Sequence, residues 1–221
     1  MSKAVALLPV ALGAAAFALM GADAAPTGAF RIETVQFEVA PPPGYCLSSD
    51  REVAIDRRIA AADRMNVTHL SVHACGTKPP WRSYFLVKTP VQLLRVVTTT
   101  AELQAAVWPE LVRGFDSRAI ETRSSDQATR VLGARTTVKG EMVPLGKDES
   151  CLYLGGVIDV RTPERKVGYT LSVAGCMTVV GGRVMTIYRY APGTTMDSVR
   201  ALMPSARAFA AAINVRDDAR R

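Results

Sequence analysis

Two β-rich runs, Met177-Thr-Val-Val180 and Arg183-Val-Met-Thr-Ile-Tyr-Arg-Tyr190, meet at Gly181-Gly182, and no other feature restricts the fold as much. Both central positions of a type I′ turn take positive φ, which glycine adopts without steric cost, so the runs form a tight hairpin. Upstream, Cys151-Leu-Tyr-Leu-Gly-Gly-Val-Ile-Asp-Val160 and Val167-Gly-Tyr-Thr-Leu-Ser-Val173 flank the turn sequence Thr162-Pro-Glu-Arg165. Residues 151–190 therefore read as a three-stranded antiparallel meander. With Thr162–Arg165 as the loop, Arg161 faces Lys166, and counting back places Cys151 opposite Cys176, within disulfide reach. A bulge at Gly155-Gly156 would shift that register by one residue. In the last strand Val184, Thr186, Tyr188 and Tyr190 share one face, while Met185, Ile187 and Arg189 share the other with Cys176. Both faces are apolar enough to need covering.

One cover is the C-terminal helix. Met196, Val199, Leu202/Met203, Ala206, Phe209/Ala210 and Ile213 recur every three or four residues as one apolar stripe. Thr194 or Thr195 caps its start, Asp197 suits its first turn, and Pro204 kinks or splits it.

The N-terminal half is an α/β mixture. Phe30 to Val39 is β-rich, Pro41-Pro-Pro-Gly-Tyr-Cys46 is a stiff extended loop, and Ser49-Asp-Arg-Glu52 is a capping box opening a helix. Ile55, Ile59, Ala62 and Met65 face inward, Arg51, Arg57, Arg58 and Arg64 face water, and Asn66 ends the helix. Val67 to Cys75 follows as a strand with Leu70, Val72 and Ala74 on one face, and Tyr84 to Lys88 is another strand. Helical character returns around Ala101–Val107 and Ser125–Val131, broken at Trp108-Pro109, before strand at Thr136–Val143.

Four cysteines, Cys46, Cys75, Cys151 and Cys176, occur at wide spacing without a C-x-x-C. That excludes a thioredoxin-type centre or zinc ribbon and indicates an oxidising compartment. Four cysteines allow three pairings, and the meander register favours 46 with 75 and 151 with 176. The N-terminus agrees: Met1–Lys3 is positively charged, Ala4–Met20 is apolar with Pro9 and Gly13, and Ala22-Asp23-Ala24 is a small-x-small cleavage pattern. The expected organisation is a signal peptide at 1–24, one α+β domain at 25–215 and a charged tail at 216–221. The product is exported, periplasmic or secreted, with no transmembrane span after cleavage.

No catalytic motif stands out: G-x-S-x-G, S-x-x-K, H-E-x-x-H, the P-loop and G-x-G-x-x-G are all absent. His69 and His73 are the two histidines. On a strand they share the sheet's outer face roughly 13 Å apart, too far to hold one metal ion, so no metal or cofactor is expected. Glu52, Asp56 and Asp63 read as the solvated side of an Arg-rich helix, and Asp148-Glu149 as a turn. Asp159, if buried, needs Arg161 or Arg189 as partner. A pocket enclosing Asp159 with an Arg and a Ser or Thr would indicate an exported hydrolase.

The chain carries 27 Lys+Arg against 20 Asp+Glu, but scattered among acids rather than clustered with aromatics, so nucleic acid is excluded as a partner. An envelope protein or an anionic lipid or polymer surface remains. Lys78-Pro-Pro-Trp-Arg-Ser-Tyr84 combines Trp81, Arg82 and Tyr84 in a proline-stiffened loop beyond Cys75, and Tyr45 adjoins Cys46. These four are the candidate binding residues, although Trp81 can equally cap the core.

The meander with its Gly-Gly hairpin and terminal amphipathic helix, residues 136–213, resembles the tail of Mog1/PsbP-like domains. Val39-Ala-Pro-Pro-Pro-Gly-Tyr45 is similar to that family's early strand running into a Pro-Gly-aromatic step. The resemblance implies an α/β/α sandwich around an antiparallel sheet and a non-enzymatic, exported binding or assembly factor. The four cysteines and the helical middle depart from the family's usual pattern, and no functional residue carries over. The expected fold is thus α+β, a mainly antiparallel sheet with helices packed on it in two or three layers, held by two disulfides. The expected role is non-catalytic binding in the envelope.

Overall fold

The computed structural model describes residues 26–114 and 117–216. The expected signal peptide and residues 217–221 of the expected tail lie outside the described residues.

The centre is a seven-stranded antiparallel sheet in the order β3-β4-β5-β9-β8-β7-β6. Its strands are β3 (Tyr45–Leu47), β4 (Asn66–Ala74), β5 (Tyr84–Pro90), β6 (Thr137–Lys147), β7 (Leu152–Thr162), β8 (Val167–Val180) and β9 (Arg183–Pro192). A small sheet pairs β1 (Gly28–Ile32), β2 (Val35–Val39) and β10 (Asn214–Val215) in the order β1-β2-β10. On one face of the large sheet lie this small sheet and helices α4 (Met196–Arg200) and α5 (Met203–Ala211). There Ile32, Phe37 and Val39 meet Val72, Phe85, Val87, Cys176, Met185 and Ile187, with Ala206, Phe209, Ala210 and Ile213 closing the layer. The opposite face carries α1 (Asp50–Ala62) and α2 (Thr100–Arg113), where Leu103 packs on Leu152 and Val184. α3 (Ser117–Leu132) packs on α1 and runs along the sheet edge at β6. The fold is α+β, in three layers.

Gly181 and Gly182 close the β8–β9 hairpin with φ of 55° and 76°, as a type I′ turn requires. The C-terminal apolar stripe divides at the expected place, with Pro204 in the first turn of α5, where its missing donor is harmless. Thr195 caps α4 by accepting from the Ser198 N–H.

Several expectations are corrected. The β7–β8 loop is Pro163–Lys166, with Lys166 left-handed at φ 52° and Thr162 opposite Val167, so Tyr153 rather than Cys151 faces Cys176. No bulge occurs at Gly155-Gly156, where pairing is continuous. The cysteines are nevertheless joined, as are Cys46 and Cys75, each pair with Cα atoms 5.1 Å apart. Asp148 makes the first bridge possible. Its Oδ1 accepts from the Ser150 and Cys151 N–H groups at 2.8 Å, turning Cys151 back over the strand end. α1 stops at Ala62, short of Asn66, because the Asp63 carboxylate accepts from the Met65 and Asn66 N–H groups and turns the chain into β4. Met65 is 41% exposed, so it does not face the core. α2 continues unbroken through Pro109, which is exposed.

The β6 edge is closed by α3. Glu121, Ser125 and Thr129 are successive i, i+4 neighbours on the helix, and they bond to Gly140, Val138 and Thr136, successive i, i−2 neighbours on the chain. Four residues of helix rise about 6 Å and two of strand about 6.6 Å, so the spacings match. Ser125 Oγ accepts from Val138 N–H at 2.9 Å and donates to its carbonyl at 3.2 Å; Thr129 Oγ1 does the same for Thr136 at 3.0 and 3.2 Å. Glu121 Oε1 accepts from Gly140 N–H at 2.8 Å. Side chains thus supply the pairing that a further strand would otherwise give.

Candidate functional site

The expected binding residues meet at one end of the large sheet. Cross-strand pairs align Cys46 with His73, His73 with Tyr84, and Tyr84 with Tyr190, a single row over four strands. Alternate side chains take opposite faces, so this row lies on one face of the sheet, and the strand neighbours Tyr45, Phe85 and Arg189 lie on the other.

On the α1 side, the Trp81 ring stacks on His73 with centroids 3.8 Å apart, and Tyr84 stacks on Tyr190 at 4.4 Å. Arg82 is exposed and lies over Tyr169, 5.3 Å from the ring centroid. Trp81 itself is 7% exposed, so the loop's largest aromatic anchors it to the sheet, while Arg82 and the preceding Lys78-Pro-Pro80 meet solvent. Burial, aided by the neighbouring Tyr190 and Tyr169 hydroxyls, pushes the Tyr84 hydroxyl well above its ordinary range. Burial also raises Tyr190, and pushes Tyr188 up to about 12. These phenols remain protonated near neutrality, and Tyr84 and Tyr190 act as a stacked pair.

His73 is buried, and its Nε2 lies 3.2 Å from both Asp56 carboxylate oxygens. Ser48 Oγ donates to the same carboxylate. The carboxylate therefore stands between hydroxyl and imidazole, and the imidazole does not reach the Ser48 hydroxyl as a general base must. Two readings of the sequence are revised here. Asp56 belongs to a partly buried pair with His73 rather than to a solvated helix face. The same holds for Asp63, bonded to Lys88 Nζ at 2.8 Å with side chains 6% and 10% exposed. Burial would raise Asp63, but the Lys88 charge and hydrogen bond, with donors from Met65 and Asn66, outweigh it and hold the carboxyl below its usual range.

The histidines do not share an outer face, because β4 has a bulge between Thr68 and Leu70. His69 turns toward Phe30, stacking at 5.6 Å, and its Nε2 lies 3.0 Å from Thr89 Oγ1. Since the Thr89 hydroxyl donates to the Val184 carbonyl, His69 supplies the proton of the shared bond. Burial depresses its pKa to about 4.

On the other side of the row, Tyr45 meets Phe85 edge to face at 4.9 Å, and Arg189 lies over both rings, 4.9 Å from Tyr45 and 4.7 Å from Phe85. Arg189 Nη2 donates to the Tyr45 hydroxyl and to Ser83 Oγ, and Nη1 to the Tyr190 carbonyl. Burial lowers the Arg189 pKa and Tyr45 opposes that. Sequence reasoning considered Arg189 only as a partner for Asp159. The available signal was its place on the same strand face as Ile187 and Met185, where a cation needs dedicated acceptors. Asp159 pairs with Arg161 at 2.7 Å, and its side chain is 38% exposed rather than buried.

A separate open cleft of about 670 Å³ lies between α5 and the β6–β7 turn, lined in part by Leu145, Tyr153, Met203 and Arg207. There Asp148 accepts from the Tyr153 hydroxyl at 2.7 Å and faces Arg207 at 3.4 Å. This network supports the turn before Cys151. No described helix is long and apolar enough to cross a membrane.

Neither a protein-family model nor a curated protein matches the chain. Among solved structures, it is similar to the solution structure of cyanobacterial PsbP from Synechocystis sp. PCC 6803, at 11% sequence identity and a TM-score of 0.41, over 81% of this chain and 86% of that one. The likeness is a faint PsbP-like resemblance, and no residue's role passes through it.

Proposed function

We propose that the chain is an exported, non-catalytic protein, periplasmic or secreted, that binds a protein partner or accessory ligand through the end of its large sheet. Arg82 is the exposed contact, Tyr45 and Tyr84 flank it half-buried on opposite faces of that sheet end, and Trp81 is the buried anchor that holds the loop. The supporting observation is the gathering of aromatic rings and Arg82 at one end of the large sheet, beside the Cys46–Cys75 bridge. Rigid aromatics with Arg are the residue types that dominate binding hot spots, and a disulfide that fixes their loop lowers the ordering cost of association. Export is favoured by two disulfides with no free cysteine among the described residues, in keeping with an oxidising compartment.

Native mass spectrometry of untagged protein from the envelope of its own host tests this reading. A species heavier than the oxidised chain, lost when Lys78 and Arg82 are both changed to Glu, is the expected result. A heavier species that survives the double change would place the binding elsewhere on the molecule.

A further inference from the structure

Arg189 carries a charge that no described residue neutralises. It is 9% exposed, and among the described residues it forms no ion pair. Its hydrogen-bond partners are all neutral: the Tyr84 and Tyr190 carbonyls on Nη1, and the Tyr45 and Ser83 hydroxyls on Nη2. The two rings over the guanidinium offset part of the desolvation, yet a buried cation gains most from an anion.

Hydrogen-bond arithmetic points the same way. A guanidinium has five N–H donors, and the four acceptors just named leave Nε–H without a described partner. The Tyr45 and Ser83 oxygens also share a bond at 2.9 Å. One hydroxyl proton lies between them, so the other is left over. Donors therefore exceed acceptors at a point where the net charge is positive. Tyr45 and Ser83 are half-buried rather than enclosed, and the neighbouring chain at Gly44 and at Gly76–Pro80 is exposed.

We propose that Arg189, Tyr45 and Ser83 form a recognition point for a carboxylate. A single guanidinium with hydroxyl donors balances one negative charge, and a phosphate dianion would leave an excess charge in a partly desolvated spot. The proposal rests on the binding surface proposed above and names the group that this surface takes. The carboxylate belongs either to a side chain or C-terminus of a protein partner, or to a free organic acid.

The test uses the full mature protein labelled with ¹⁵N-arginine, following the Arg189 Nε–Hε resonance by NMR. Acetate is titrated against acetamide, its neutral isostere, at ionic strength held constant with sodium chloride. A saturable shift with acetate and none with acetamide is expected. Ser83→Ala and Tyr45→Phe, which keep the packing, should each weaken acetate by about fivefold. A glycylglycine peptide with a free C-terminus that binds more tightly than acetate, while its amide does not bind, points to a partner chain. Equal affinity of peptide and acetate points to a small acid. Equal responses to acetate and acetamide, or an acetate response unchanged in both variants, would overturn the proposal. If crosslinking from Arg82 still captures a partner in that case, the carboxylate site alone has failed; if crosslinking is lost as well, the surface reading fails with it.

Discussion

His73 Nε2 sits 3.2 Å from both oxygens of Asp56, and this contact fastens α1 to the fourth strand directly beneath the Trp81 ring. One imidazole thus serves two ends: its edge holds a helix and its face supports the loop that carries Arg82. Since α1 follows β3 immediately, the same contact also steadies Tyr45 and the Cys46 bridge.

Changing Asp56 to Ala should cost about 2 kcal/mol, since the His73 and Ser48 bonds are lost from a partly buried carboxylate. The urea midpoint should fall with an unchanged m-value. Trp81 fluorescence should report local loosening of the loop before global unfolding.

Asp63→Asn should be more damaging, about 3 kcal/mol, because it leaves the Lys88 ammonium buried without its counter-charge. The double change Asp63→Asn with Lys88→Met should recover part of that loss, since it removes the ammonium left without a counter-charge. Thermal unfolding of the two variants decides it.

Acid should destabilise the fold in two stages. His69 has its pKa depressed to about 4 by burial, so it favours the neutral state. Its contribution is present above the ordinary histidine pKa of about 6.5 and is lost as pH falls from there toward 4. Allowing for solvent screening of a half-buried ring, the loss is about 2 kcal/mol. Asp63, held low, acts later: its stabilisation is present above the ordinary carboxylate pKa and disappears as pH falls through the lower folded value. Unfolding free energies measured down from pH 7 should show the first stage abolished in His69→Gln and the second retained.

Replacing Glu121, Ser125 and Thr129 with Ala, Ala and Val should uncover the β6 edge. Each lost side-chain bond costs about 1 kcal/mol, and the freed backbone groups become available to another chain. Sedimentation velocity should show concentration-dependent self-association in the triple variant and none in the parent.

The parts of the fold set by local chemistry were readable from the residues. Gly181-Gly182 dictated the hairpin, Ser49 and Glu52 the start of α1, Thr195 and Pro204 the two-piece C-terminal helix. The correct cysteine pairing was reached through an incorrect register. The loop is one residue later because Lys166 accepts a left-handed backbone, and Asp148 then turns Cys151 back far enough to reach Cys176. What depended on long-range placement was not readable. The bulge at His69 separates the two histidines onto different faces, and nothing local in Val67-Thr-His-Leu70 announces it. The burial of Asp56 and Asp63 depends on partners at positions 73 and 88, and the enclosure of Arg189 on residues 45 and 83. The candidate residues Tyr45, Trp81, Arg82 and Tyr84 do lie together, with Trp81 turned inward rather than outward.

The binding surface is tested most directly by a photo-crosslinking amino acid placed at Arg82, in living cells of the native host, with the same probe at Arg113 as the control. Arg113 is also exposed but lies on α2, away from the row. A discrete crosslinked species from position 82 and none from position 113 is the expected result. Capture from position 113 alone, or of the same species from both, would contradict a binding surface at Tyr45, Arg82 and Tyr84.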